Sequence, residues 1–153
     1  APDDLSEVDL SAAAASAPGP GVLEALARAE TVIVCPSNPV VSIGTILALP
    51  GVRDRLEARH DAVSISPLVG GAPVKGPADR LLRAVGAEVS SAGVANLYRS
   101  FCRGMVIDRR DAHEREAILR LGLEVRVEET LMRTPEIAAN LARSVLELAG
   151  ARF

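Results

Sequence analysis

Short apolar runs alternate along this chain with longer segments in which apolar residues recur every three or four positions. The short runs predict strands near residues 31–35, 62–65, 105–107 and 123–127. The longer segments predict helices near residues 22–29, 43–49, 52–59, 78–85, 91–100, 112–121 and 135–148. Because strands and helices alternate, the pattern predicts an α/β fold in which a mostly parallel sheet carries helices on both faces.

Several predicted helices begin at residues that are typical of helix caps. Ser42 is placed to cap the helix that starts near residue 43. Asp111, with Glu114 three residues later, predicts a cap for the helix over 112–121. Thr134 precedes Pro135, which predicts an N-cap followed by a proline in the first turn of the last helix.

Composition separates the first 20 residues from the rest of the chain. Residues 1–20 combine an acidic start, an alternating stretch at 7–10 and an alanine-rich run that ends in Pro18, Gly19 and Pro20. We therefore expect a linker or an edge strand over residues 1–20 and the α/β portion over residues 21–153. The chain does not begin with methionine, so a processed chain or a fragment is expected.

Length and composition fit one domain with a core of small aliphatic side chains. Among its 153 residues only Tyr98, Phe101 and Phe153 are aromatic. A formal charge of −3 gives no general attraction to nucleic acid or to an anionic membrane, so neither is an expected partner. Prolines interrupt the most apolar region, which excludes a continuous spanning helix there. Cys35 and Cys102 are isolated, which favours a reducing cytoplasm, and Cys35 is expected to pack as a small buried residue.

The first candidate site is the loop between the strand near residue 31 and the helix near residue 43. A polar loop in this position presents free backbone N–H groups at the carboxyl edge of a sheet, where phosphate groups bind. The side chains of Ser37, Asn38 and Ser42 offer hydroxyl and amide groups, and Gly44 permits a ligand to approach the backbone closely.

The second candidate site is a loop rich in glycine and proline at residues 66–77. We expect Gly70 and Gly71 to adopt positive φ and to expose their N–H groups. Lys75, the only lysine in the chain, adds a positive charge beside Gly76. The spacing is not that of a Walker motif, and no GxGxxG fingerprint is present. Because both loops follow strands and precede helices, they are expected to lie together at the carboxyl edge of the sheet.

Further polar residues near the end of the third predicted strand admit two interpretations. Asp108, Asp111 and Glu114 have the residue types of a metal site, but a strand end followed by a helix cap explains them more simply. Arg109 and Arg110 either reach a bound anion or remain on the surface. No nucleophile and base can be paired from their spacing, so no catalytic residue is predicted.

Both loops carry long motifs that resemble one family. The motifs are PSNPVVSIGTILALPGVRD at residues 36–54 and SISPLVGGAPVKGPADRLL at residues 64–82, with weaker agreement at VANLY, MVID and ETLM. They are similar to those of the 2-phospho-L-lactate transferases, also called phosphoenolpyruvate transferases, which act in the biosynthesis of a deazaflavin coenzyme. Members of that family are longer and begin with a glycine-rich segment followed by acidic residues that hold a metal, which residues 1–30 do not match.

The resemblance implies a Rossmann-like three-layer sandwich, of which this chain is an incomplete, C-terminal part. It implies transfer of a phosphorylated three-carbon acid from a GDP-linked donor to the hydroxyl of the deazaflavin Fo, releasing GMP. Magnesium is the implied cofactor, with its ligands expected outside this chain. The residues that the resemblance places around the guanosine and diphosphate of the donor are Pro36, Ser37, Asn38, Ser42, Gly44, Gly70, Gly71, Lys75 and Gly76.

Two other functions are compatible with the sequence. A related fold also serves as a non-catalytic module that binds a nucleotide or a nucleotide sugar. A structural half that pairs with another chain is the second alternative, and its partner would be a complementing N-terminal half or a second copy of this chain.

Overall fold

A parallel sheet of four strands forms the centre of the computed structural model, which describes residues 7–151. The strands of the described residues are β1 (Ile33–Val34), β2 (Ala62–Ile65), β3 (Leu68–Val69), β4 (Ala72–Pro73), β5 (Cys102–Asp108) and β6 (Glu124–Glu128). The sheet has the order β1-β2-β5-β6, with every neighbouring pair parallel. Strands β3 and β4 form a separate antiparallel hairpin. The predicted α/β fold is confirmed, whereas the hairpin was not predicted.

Helices account for most of the remaining described residues. They are α1 (Ser11–Ala14), α2 (Val22–Arg28), α3 (Ile43–Ala48), α4 (Val52–Arg59), α5 (Ala78–Ala84), α6 (Ser91–Tyr98), α7 (Arg115–Arg120) and α8 (Pro135–Leu148), with a 3₁₀ helix at Arg109–Glu114. Residues 7–10 have no regular secondary structure, so the edge strand considered for the first 20 residues does not form there. Residues 1–6 of that segment, and Phe153, lie outside the described residues. No helix among residues 7–151 is long and apolar enough to cross a membrane.

The predicted helix caps have three different outcomes. Thr134 caps α8, since its hydroxyl accepts a hydrogen bond from the N–H of Ile137 at 3.3 Å. Ser42 stands at the N-cap position of α3, but its side chain makes no capping hydrogen bond. The cap predicted for Asp111 is wrong, because this residue lies inside the 3₁₀ helix and Asp108 caps that helix instead.

Two apolar layers cover the faces of the sheet. Helix α8 covers one face, where Val63, Ile65 and Val106 pack with Leu141 and Val145. The larger layer, on the other face, is built with residues of α3 to α7. The two described aromatic residues, Tyr98 and Phe101, lie in this second layer with their ring centroids 5.3 Å apart. The expected arrangement with helices on both faces of the sheet is therefore confirmed.

The two edges of the sheet differ in charge. Within the described residues, β1 pairs only with β2, and β6 pairs only with β5. Strand β6 alternates Glu124, Arg126 and Glu128 with two valines, whereas β1 carries no charge. Ile33 of β1 remains 38% exposed.

Candidate ligand pocket at the carboxyl edge of the sheet

A pocket of about 560 Å³ opens where β1, β2 and β6 end. It is lined by residues that follow these strands and by residues of the hairpin: Pro36, Ser66, Pro67, Val69, Val74, Thr130, Leu131, Met132 and Arg133. Pro36 comes from the first predicted loop, four of the others come from the second loop, and the remaining four follow β6. The prediction that the two loops lie together is therefore confirmed.

The walls of this pocket are mainly apolar. Val69 and Leu131 line it, and Val74 and Met132 remain 59% and 54% exposed at its rim. Arg133 adds a positive charge to the same lining. Apolar walls with a few polar groups are typical of sites that bind a small organic ligand, so the pocket suits a flat ring better than an isolated phosphate.

The backbone of the first loop is occupied by the chain itself. The side-chain oxygen of Asn38 accepts hydrogen bonds from the N–H groups of Val40 at 2.9 Å and Val41 at 3.1 Å. The N–H groups of Ser42 and Ile43 donate to the carbonyl oxygen of Asn38, and that of Gly44 donates to the carbonyl of Pro39. The expectation of free N–H groups is wrong for these five residues, because the loop supplies its own acceptors.

The surroundings of Gly44 and the exposure of Cys35 are not those that the sequence predicts. Gly44 lines a separate cavity of about 160 Å³, and a side chain at this position would approach the carbonyl oxygen of Pro39 at 3.2 Å. The close approach that glycine permits here is therefore to the chain's own backbone. Cys35 is exposed rather than buried, since β1 ends at Val34 and the chain leaves the sheet there.

The glycine pair of the second loop forms the turn of the hairpin. Gly70 and Gly71 have φ values of +63° and +72°, so the predicted positive φ is confirmed. Their N–H groups are not exposed as expected, because they donate to the two carboxylate oxygens of Asp111 at 2.9 and 2.8 Å. Lys75 is exposed, and its side chain has no hydrogen bond or ion pair within residues 7–151. Contact with the GDP-linked donor stays a prediction for all nine residues that the resemblance implies.

Asp108 and Asp111 are buried acids with backbone partners. Their exposed fractions are 1% and 0%. Asp108 accepts hydrogen bonds from the backbone N–H of Thr130 at 3.1 Å, from its hydroxyl at 2.9 Å and from the N–H of Arg110 at 3.0 Å. Burial by itself raises the pKa of Asp108, but these hydrogen bonds and the Arg110 charge together hold the pKa below its ordinary value of 3.8. Asp108 is therefore ionised at neutral pH.

The described residues do not fit a magnesium site. No group of three histidine, cysteine, aspartate or glutamate side chains converges within residues 7–151. Asp108 and Asp111 are engaged as described, and Glu114 accepts a hydrogen bond from the N–H of Ala92 at 2.7 Å. Since each acid holds a different segment of backbone, we derive no step through a metal from these residues.

The contribution of the segment after β6 to the pocket was not predicted. Thr130 to Arg133 follow β6, so the rule that placed the other loops at the carboxyl edge also applies to them. The ETLM motif in this segment was a further signal. No sequence pattern indicated the hydrogen bonds between Asp111 and the glycine turn, because the hairpin that contains this turn was not predicted.

A parallel four-stranded sheet with helices on both faces and an open pocket at its carboxyl edge is an architecture of the Rossmann-like kind. The family model described as 2-phospho-L-lactate transferase CofD matches residues 2–137. The chain belongs to this family, as the two loop motifs predicted.

Individual relatives agree with this assignment. The chain is 41% identical to the 2-phospho-L-lactate transferase of Methanosarcina mazei over 144 residues, which are 94% of this chain and 47% of that protein. It is 46% identical to the phosphoenolpyruvate transferase of Kitasatospora aureofaciens over 134 residues, which are 86% of this chain and 42% of that protein. The chain therefore spans about half the length of the curated relatives it matches.

Proposed function

We propose that the full-length polypeptide containing this chain transfers a phosphoenolpyruvyl or 2-phospholactyl group from a GDP-linked donor to the hydroxyl of deazaflavin Fo. Membership of the transferase family and the names of the relatives support this reaction class. The observation that carries the proposal is the convergence of both motif loops on one pocket at the carboxyl edge of the sheet.

The proposed reaction is a displacement at phosphorus. The hydroxyl oxygen of Fo forms a bond to the β-phosphorus of the donor and loses its proton. The bond from that phosphorus to the oxygen bridging the two phosphates breaks, and GMP leaves with the electron pair. Such a reaction depends mainly on the positioning of the groups and on neutralisation of their charge.

The described residues would contribute donor binding. The apolar walls at Val69, Leu131 and Met132 suit the flat guanine ring. Lys75 directly follows Val74, which lines one side of the pocket, and Arg133 lines the same pocket from the segment after β6. We propose that these two cations neutralise the diphosphate, a role that the occupied N–H groups of Gly70 and Gly71 do not fill in this structure.

Calorimetric titration of the full-length protein with GDP tests this proposal. Lys75→Ala and Arg133→Ala should each weaken GDP binding about tenfold, because each removes one charge-assisted contact. Met132→Asp should weaken it further by placing a carboxylate against the ring and near the diphosphate. Arg99→Ala is a matched control, since Arg99 is exposed and precedes β5 at the opposite, amino end of the sheet.

These titrations distinguish a wrong reaction from a wrong assignment of the guanine ring to this pocket. A wild-type protein that binds no GDP, or that releases no GMP when given the GDP-linked donor and Fo, would contradict the proposed function. If Met132→Asp weakens binding of Fo and leaves binding of GDP unchanged, the pocket takes the acceptor ring and the assignment of guanine to it is wrong.

A further inference from the structure

Two buried carboxylates at the end of β5 each hold a different wall of the pocket. Asp108 is the last residue of β5, and Asp111 follows within the 3₁₀ helix. Neither residue lines the pocket, yet the backbone groups that they bind belong to the two segments that do. The end of β5 and the 3₁₀ helix after it thus connect the hairpin to the segment that follows β6.

The wall of the pocket that the β3–β4 hairpin forms depends on Asp111, because the ladder between these two strands is short. Strands β3 and β4 pair only Leu68 with Pro73 and Val69 with Ala72. A two-stranded hairpin of this size is not stable alone in water. One end is anchored by Leu68, which is fully buried. The other end is the glycine turn, and Asp111 holds it through two charge-assisted hydrogen bonds.

The opposite wall depends on Asp108. Residues 129–133 have no regular secondary structure, so no ladder fixes their position. Thr130 binds Asp108 through both its backbone N–H and its hydroxyl. The next three residues line the pocket, and Met132 stands exposed at the rim.

We propose that Asp108 and Asp111 are positioning residues that set the spacing between the two walls of the ligand pocket. Asparagine at either position keeps one acceptor oxygen and replaces the other with an N–H₂ donor. At Asp111 this donor would face the N–H of a glycine, so the turn would lose one hydrogen bond and gain a repulsive contact. The pocket would then widen while the sheet and its apolar layers remain folded. The identity of the ligand rests on the proposed function, whereas the attachment of the walls does not.

Amide hydrogen exchange in the full-length protein tests the attachment directly. Asp111→Asn should accelerate exchange at Gly70 and Gly71 about tenfold, with little change at Thr130. Asp108→Asn should show the reverse pattern, because the lost charge weakens both hydrogen bonds that Thr130 donates to one oxygen of Asp108. Glu116→Gln is the matched control, because Glu116 is a carboxylate of the neighbouring helix whose side chain is 84% exposed and lies 3.9 Å from Arg120.

Titration with GDP then separates positioning from a merely structural role. Each asparagine variant should bind GDP about tenfold more weakly at an unchanged number of sites per molecule. A merely structural role would reduce the number of sites, through loss of folded protein, and leave the affinity unchanged. Asp111→Glu keeps both acceptor oxygens, and it should restore part of the lost affinity.

A third measurement remains decisive if the wild-type protein binds no GDP and the proposed function fails. Nitroxide labels at Val74→Cys and Met132→Cys, in a Cys35→Ser background, report the distance between the walls by electron paramagnetic resonance. Both asparagine variants should broaden this distance distribution, and Glu116→Gln should not. Unchanged exchange at the glycine turn, an unchanged distance distribution, or fewer sites at unchanged GDP affinity would each overturn the proposal.

Discussion

Thr130 binds Asp108 twice, through its backbone N–H at 3.1 Å and through its hydroxyl at 2.9 Å. The two residues are 22 positions apart in the chain, and β6 lies between them. Because Asp108 is ionised and buried, these contacts are charge-assisted and shielded from water. The end of β5 is thereby fixed to a segment that has no regular structure of its own.

The stability of the protein should depend on the charge of Asp108. Its pKa in the folded state is lowered, so the ionised form stabilises the folded state at pH values above about 4, and this contribution disappears as the pH falls through the folded-state pKa. Asp108→Asn should lower the free energy of unfolding by about 2 kcal/mol at neutral pH. Urea unfolding of both proteins should show that this difference shrinks below pH ~4. A difference that grows on acidification would contradict the assigned ionisation, and Glu116→Gln should change the stability little at either pH.

Gly93 should not tolerate a side chain. It lies in α6, where an added Cβ would overlap the carbonyl oxygen of Glu88. Gly93→Ala should therefore lower the free energy of unfolding by about 2 to 3 kcal/mol, although alanine favours helices. Gly19→Ala is the control, because its new methyl group would meet only a methyl group of Val22 at 3.8 Å. Equal stability of the two variants in thermal unfolding would show that the backbone near Glu88 relaxes freely.

The cap of α8 should contribute measurable stability. Thr134→Ala removes the acceptor of the Ile137 N–H and should cost about 1 kcal/mol. Ser42→Ala changes a hydroxyl residue at an equivalent position of α3, where no capping bond exists, and should cost less than about 0.5 kcal/mol. Denaturant unfolding of both variants measures the two costs. A larger cost at Ser42 would mean that its hydroxyl has a partner in solution.

The two cysteines should react with alkylating reagents at very different rates. Cys35 is exposed, whereas Cys102 is buried and its burial raises its pKa to about 12. Because the thiolate is the reactive form, iodoacetamide at pH ~8 should modify Cys35 alone in the folded protein. Mass spectrometry should detect one adduct per molecule before unfolding and two afterwards. Modification of Cys102 at the rate of Cys35 would indicate that this part of the sheet opens readily.

Much of the fold could be predicted because its signals are local. Strand β2, helix α4 and helix α8 begin and end at the predicted residues, since glycine, proline and capping residues stand at or next to their ends. The meeting of the two motif loops followed from the geometry of parallel sheets. The alternating pattern at residues 7–10 was misleading, because alternation without a neighbouring strand to pair with does not make a strand.

The occupancy of the loop N–H groups could not be predicted in the same way. The sequence shows which groups donate, but the fold decides which acceptors reach them. Asp111 lies 41 residues from Gly70, and nothing in the local pattern connects them. Asn38, by contrast, bonds to residues two and three positions later, which is a known habit of asparagine in turns. The hydrogen bonds of Asp111 thus depend on long-range folding, whereas those of Asn38 could have been predicted from the local sequence.

The unequal edges of the sheet have a consequence for handling the protein. The charged side chains of β6 discourage a further strand from pairing there. Strand β1 has no charged side chain, and Ile33 on it is partly exposed. A preparation of this chain alone should therefore self-associate as its concentration rises, through β1 rather than β6. Light scattering should show that Ile33→Lys suppresses this association, whereas an added lysine at the exposed position of β6, Glu124→Lys, does not.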